Sequence, residues 1–198
     1  MRLAIVGSTR GTDMLALIAA ITQKELAASI EVVISNKADA MILERARRHA
    51  LNAVFVDPKN LSREEFDKKL SQELQVHQVD LIILIGYMRI LSNQFVSDWR
   101  GKIINVHPSL LPAFAGGMDQ NVHQAVIDAR EKMSGCTVHF VTEEVDGGPI
   151  LIQKKCAVSA QDTAATLKDR VQDLEGLALI EAVNMIAEQK KVIRNESR

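Results

Sequence analysis

Cysteine is almost missing from this chain, with two in 198 residues, Cys136 and Cys156, each beside apolar neighbours. They lack the Cys-x-x-Cys spacing of a zinc or dithiol site and read as small hydrophobes in a reducing compartment. An excess of charge is missing as well. The formal net charge of -1 excludes a broad field that would recruit nucleic acid or an anionic membrane, though it leaves room for a locally basic pocket. No apolar run reaches the length of a membrane span, and "MRLAIVGSTRG" breaks at Gly7, too early for a signal-peptide core. Repeats, low-complexity blocks, long linkers and metal-ligand clusters are lacking too. A cytoplasmic protein with one domain over residues 1–198, no metal, no membrane partner and no nucleic acid is expected.

What is present is a globular composition, 47% hydrophobic and 25% charged, able to bury a substantial core. Apolar runs alternate with stretches of helical period. "RLAIVG", "SIEVVIS", "AVFVD", "DLIILIGY" and "KIINVH" lack strict alternation, which fits parallel strands covered on both faces. Helical stretches separate them: "TDMLALIAAITQKEL", "ADAMILERARRHA", "SREEFDKKLSQELQVHQ" and "SNQFVSDWR". Phe66, Leu70 and Leu74 form one apolar stripe, and Ser62 with Glu65 three residues on reads as a capping box. The last third changes style. "CTVHFVTE" and "PILIQKKCAV" flank a Gly-Gly-Pro turn and suit antiparallel pairing, and a long helix then starts near Asp162 with Leu167, Val171, Leu174 and Ala178 as its buried stripe. The expected fold is α/β, an open doubly wound, mostly parallel sheet with helices on both faces and antiparallel strands toward the C-terminal part.

Two places carry chemistry. "IVGSTRGTDMLALI" joins a strand to a helix, and its Gly7-x-x-x-Gly11 spacing matches neither the dinucleotide fingerprint nor a P-loop. It reads either as a site for a single phosphate on helix amides, or as a plain connection with Thr12 or Asp13 capping the helix. The second place is "GKIINVHPSLLP". Ile103, Asn105 and His107 share one face of a strand that Pro108 ends, so an amide and an imidazole stand together at its carboxyl end. An imidazole can move a proton during amine attack on a carbonyl, and a carboxamide NH₂ can donate to the oxyanion. A carboxylate is wanted as a third partner. Asp146, directly before Gly147-Gly148-Pro149, is a candidate, and equally a turn-former. From Pro108 a long bend leads to His123; His49, His77 and His139 have no assigned role.

"NVHPSLLP" with the downstream "VHFVTEEVDGGPIL" resembles the folate-dependent formyltransferases, and "SNKADAMILERAR" and "GYMRILS" narrow this to those acting on phosphoribosylglycinamide (GAR) in purine biosynthesis. The likeness runs colinearly from residue 1 to about residue 190. It implies a Rossmann-like fold, GAR and 10-formyltetrahydrofolate as substrates, no metal, and a monomer or homodimer. It further implies Asn105, His107 and Asp146 as the catalytic trio, with Asp146 raising the histidine pKa. The first-loop residues Gly11, Thr12 and Asp13 would lie at the ribonucleotide phosphate, and Gln172 and Glu175 at its ribose or glycinamide part. Met88, Arg89, Ile90 and Leu91 would line the folate site together with Asn105, and Arg63 would reach the folate tail; as a residue type, Arg63 is also an ordinary solvated helix-start arginine. Asp13 and the longer, more polar "AFAGGMDQNVHQAV" depart from the family's common pattern. Alternatives are a formyltransferase for another small phosphorylated amine, or a non-catalytic folate- or nucleotide-binding module.

Overall fold

In the computed structural model, which describes residues 1–117 and 120–196, alternate residues of the first strand feed opposite layers. Strand β1 (Arg2–Val6) sends Leu3 and Ile5 to one apolar cluster and Ala4 and Val6 to another. The same division recurs at β4 (Leu81–Leu84), where Leu81 and Ile83 face the first cluster and Ile82 and Leu84 the second. Strands packed this way must be apolar on both faces, hence the unbroken runs in sequence. β2 (Ser29–Ser35), β3 (Ala53–Phe55) and β5 (Ile103–His107) complete the parallel part. β6 (Met133–Phe140) runs antiparallel to β5, and β7 (Ile150–Ala157) antiparallel to β6. The seven-stranded order is β3-β2-β1-β4-β5-β6-β7.

Helices α1 (Thr12–Thr22), α2 (Met41–Arg48) and α6 (Ala164–Glu196) cover the first cluster, and α3 (Arg63–Val76) and α4 (Asn93–Asp98) the second. Phe66, Leu70 and Leu74 are all buried against the sheet, the contact their spacing requires. At the start of α3, Ser62 Oγ accepts from the Glu65 amide at 3.1 Å, and the Ser62 amide donates to Glu65 Oε2 at 2.8 Å. This reciprocal pair satisfies two amides at the helix start. Ser62→Ala is expected to lower unfolding stability by about 1 kcal/mol, read from a denaturant midpoint with unchanged slope.

Two expectations are corrected. The stretch after Pro108, read as a bend, contains helix α5 (Gln120–Asp128), whose Val122 and Val126 are buried. Glycines and polar residues before Val122 hide that four-residue spacing in the sequence. Met118 and Asp119 of the same stretch lie outside the described residues. On α6, Leu174 is only partly buried, and Glu175 is the buried one at 8% exposure. The reason is a close helix crossing: a Cβ on Gly176 would come within 2.6 Å of the Ala16 side chain on α1. Among the described residues no helix is long and apolar enough to cross a membrane.

Candidate active site

The sheet order puts a crevice where β1 and β4 lie side by side and their chains depart in opposite directions, the place where open α/β sheets take ligands. Two loops form its floor. The first-loop Ser8 amide donates to the Gly86 carbonyl at 3.1 Å, Ser8 Oγ accepts from the Met88 amide at 2.9 Å and donates to Asn36 Oδ1 at 2.6 Å. Ser8 therefore braces the loop after β1 against the loop after β4. Gly11 then turns into α1 at φ 63°, a left-handed conformation that a glycine adopts without strain.

The helix α1 starts without a side-chain cap, which corrects the alternative of Thr12 or Asp13 as capping residues. The Thr12 hydroxyl instead accepts from Arg45 Nη1 at 3.1 Å. Asp13 is buried at 6% exposure and makes a side-chain hydrogen bond with Glu175. Burial raises its pKa to about 7, against the lowering pull of Glu175, Arg45 and Lys168.

The polar face of β5 meets β6 in antiparallel register, with Asn105 opposite His139 and His107 opposite Thr137. Asp146 reaches this face from the turn after β6. Its backbone sits at φ 55°, a region aspartate tolerates better than most residues. Asp146 Oδ2 lies 3.3 Å from His107 Nδ1, and Oδ1 lies 3.5 Å from His139 Nε2. The Gly116 amide donates to Oδ2 at 2.8 Å. Asn105 Nδ2 is 3.2 Å from His139 Nε2.

Each imidazole turns its other nitrogen to a carbonyl. His107 Nε2 is 3.1 Å from the Phe114 oxygen, and His139 Nδ1 is 2.9 Å from the Phe140 oxygen. A carbonyl only accepts, so both of these nitrogens carry protons. Nδ1 of His107 faces a carboxylate as well, so both of its ring nitrogens meet acceptors. Burial nonetheless pushes its pKa below 6.5, outweighing the upward pull of Asp146 and of the Phe114 carbonyl. Asp146 does raise the histidine pKa, in the direction the resemblance implies, but against burial it only limits a fall. Asp146 itself feels burial upward, but the His139 hydrogen bond, the Gly116 amide and the two imidazole charges hold it below the usual carboxylate range.

Beside these groups lies a cavity of about 280 Å³. Gly11, Thr12, Asp13, Met88, Arg89, Ile90, Leu91, Asn105, His107, Asp146, Gln172 and Glu175 line it. Arg63 does not; it is exposed on the first turn of α3. Met88 and Ile90 present exposed side chains at the cavity while Leu91 packs into the second cluster. The Arg89 guanidinium carbon lies 4.4 Å over the Phe66 ring centre.

Sequence reasoning missed His139. The signal was available: Thr137 and His139 are two polar residues two apart on a buried strand, the same pattern that singles out Asn105 and His107. It also missed Lys168, which lines the cavity one helical turn before Gln172. His123 is buried on α5 and lines the cavity too.

The formyl transferase family profile matches residues 1–183. The chain belongs to the formyl transferase family. Phosphoribosylglycinamide formyltransferase of Escherichia coli (strain K12) is 38% identical over 180 residues, covering 88% of this chain and 82% of that protein. The trifunctional purine biosynthetic protein adenosine-3 of Gallus gallus is 42% identical over 188 residues, which is 94% of this chain but only 18% of that protein. The chain therefore spans under a fifth of such trifunctional relatives. Among solved structures, glycinamide ribonucleotide transformylase 1 from Symbiobacterium toebii superposes with a TM-score of 0.91 at 38% identity, covering 96% of this chain and 88% of that one. This formyl transferase thus has its expected mostly parallel sheet in common with a transformylase of known structure.

Proposed function

We propose that this formyl transferase moves the formyl group of 10-formyltetrahydrofolate to the amine of glycinamide ribonucleotide, a step of de novo purine biosynthesis, in the cytoplasm. The observation that carries the reading is Asp146 seated between His107 and His139, with Asn105 beside them, at one wall of the cavity. The ribonucleotide phosphate lies at the uncapped start of α1, around Gly11 and Thr12, and Gln172 and Glu175 face its sugar. The folate ring lies along Met88 to Leu91, against apolar side chains and the backbone after β4. Arg63 stands outside the cavity, exposed at the start of α3, and is the contact proposed for the folate tail rather than for the ring.

The amine nitrogen attacks the formyl carbon, and its electron pair forms the new C–N bond while the carbonyl pair moves to oxygen. Asn105 Nδ2 donates to that oxyanion, a charge that exists only after attack. His107 exchanges its Phe114 contact for the amine in its neutral form, with the remaining proton on Nδ1 toward Asp146, so that the free Nε2 takes the amine proton. Asp146 stabilises the resulting imidazolium from Nδ1. The proton then passes to the folate nitrogen as its bond to the formyl carbon breaks, leaving formylated product and tetrahydrofolate. No covalent enzyme intermediate and no metal are needed.

An absorbance assay of folate product release, run with glycinamide ribonucleotide beside several other small phosphorylated amines, tests this. Turnover is expected with glycinamide ribonucleotide above the others. Turnover with another amine instead would move the substrate, and folate binding without turnover on any of them would reduce the protein to a binding module.

A further inference from the structure

The paired carboxyls of Asp13 and Glu175 stand apart from the groups that handle the formyl carbon. They meet because α1 and α6 cross closely at Ala16 and Gly176. Both are more than nine-tenths buried, and both line the cavity at the start of α1. Two carboxyls can hydrogen-bond to each other only when one of them carries the proton. Asp13 Oδ1, in addition, is a buried oxygen without a hydrogen-bond partner, so a charge on it has nothing to solvate it. The first-turn amides of α1 lack a side-chain cap, so an anion held there would stand beside Asp13, which lies in the same first turn.

We infer that Asp13 and Glu175 hold one proton between them as a switch on the phosphate subsite, so that a phosphorylated ligand binds with uptake of a proton and is repelled when the pair is doubly ionised. The inference rests on the reading that the α1 end takes the ribonucleotide phosphate. The proton comes from solvent, and no bond other than O–H forms or breaks. With one proton the pair carries one negative charge; without it, two. The second charge stands beside a phosphate that is itself mostly dianionic above about pH 6.

Among the described residues, Lys168 on α6, Arg45 on α2 and Cys136 on β6 act electrostatically on the pair, and Arg10 of the first loop and His123 of α5 line the same cavity. Lys168 and Arg45 favour the ionised pair and the phosphate alike, but neither cancels the repulsion between carboxylate and phosphate. Cys136 is driven up to about 12, first by burial and then by Glu175, so it stays neutral across the range concerned. Burial places the Asp13 transition at about 7, where a change of proton occupancy reports on ligand binding.

The test is KM for glycinamide ribonucleotide against pH, in the full chain and in Asp13→Asn, with calorimetric titration in two buffers of different ionisation enthalpy. For the unaltered chain, KM is expected to rise about tenfold from pH 7 to 8.5, and binding at pH 7.5 to take up about half a proton or more. In Asp13→Asn the amide donates to Glu175 at every pH, so the KM slope and the proton uptake both vanish. The readout is in KM and protons, which a merely structural residue would leave unlinked to pH. Turnover with an unchanged KM slope in Asp13→Asn, or binding of the substrate by the unaltered chain without proton uptake, would overturn the inference alone. Absence of turnover with this substrate in the unaltered chain would instead overturn the functional reading, and the inference with it.

Discussion

His107→Ala is expected to lower kcat by about 10²–10⁴-fold, with the folded state kept, because it removes the group that takes the amine proton. Asp146→Asn is the more informative partner. It keeps the shape and suits the left-handed backbone at φ 55°, so the turn survives. It removes the carboxylate that pulls His107 upward, leaving burial to push the imidazole pKa lower still. The direction of the pH effect follows. In the unaltered protein the acid limb of kcat falls as pH drops through the His107 pKa, which lies below 6.5. In Asp146→Asn that limb should move to lower pH while the plateau drops by orders of magnitude. Circular dichroism and a thermal scan establish that both variants are folded. A plateau within a few-fold of the parent, or an acid limb displaced to higher pH, would contradict the role given to Asp146.

Gly148→Ala should produce a large loss of stability from a single methyl group. A Cβ at Gly148 would overlap the Phe140 carbonyl oxygen and press on its carbon, both backbone atoms of β6. That strand end is held to β7 by the Phe140 amide donating to the Pro149 oxygen at 2.9 Å. Backbone cannot swing aside as a side chain can, so the methyl group must pry the β6–β7 junction apart. Overpacking of this kind costs at least about 2 kcal/mol, or a melting temperature lower by about 5 °C or more in a chain of this size. Activity should fall as well, because the same turn aims Asp146 between the histidines. Gly147→Ala is the control. A Cβ there meets only the Glu144 side chain, at 2.5 Å, which can rotate away. Its melting temperature should stay within about 2 °C of the parent. Equal melting temperatures for the two variants would show that the strand junction tolerates the methyl group and that the clash is relieved elsewhere.

Much of the site could be read before any coordinates. The face shared by Asn105 and His107 follows from the two-residue strand period and from Pro108, both local properties of five or six consecutive residues. The capping box at Ser62 and the stripe of Phe66, Leu70 and Leu74 are local in the same sense, as are the apolar runs that became β1 to β5. The residues that sequence reasoning misjudged all depend on partners far away in the chain. Asp13 looks like a cap because aspartate at a helix start usually is one; α6, more than 160 residues further on, turns it into half of a carboxyl pair. His139 shows its polar strand spacing in the sequence, but its partners appear only when the antiparallel register sets it opposite Asn105.

The sequence alone therefore determined the alternation of strands and helices, the family, and the polar strand end on which the chemistry turns. These are written in spacing and in short motifs. The tertiary structure decided which carboxyls and imidazoles touch, and in which direction each is pushed to hold or release its proton. Burial and charge at a site are summed over elements that meet only in the folded molecule, and no local pattern records that sum. His107 shows the difference: a neighbouring aspartate argues for a raised pKa, and the desolvation contributed by the surrounding fold reverses it.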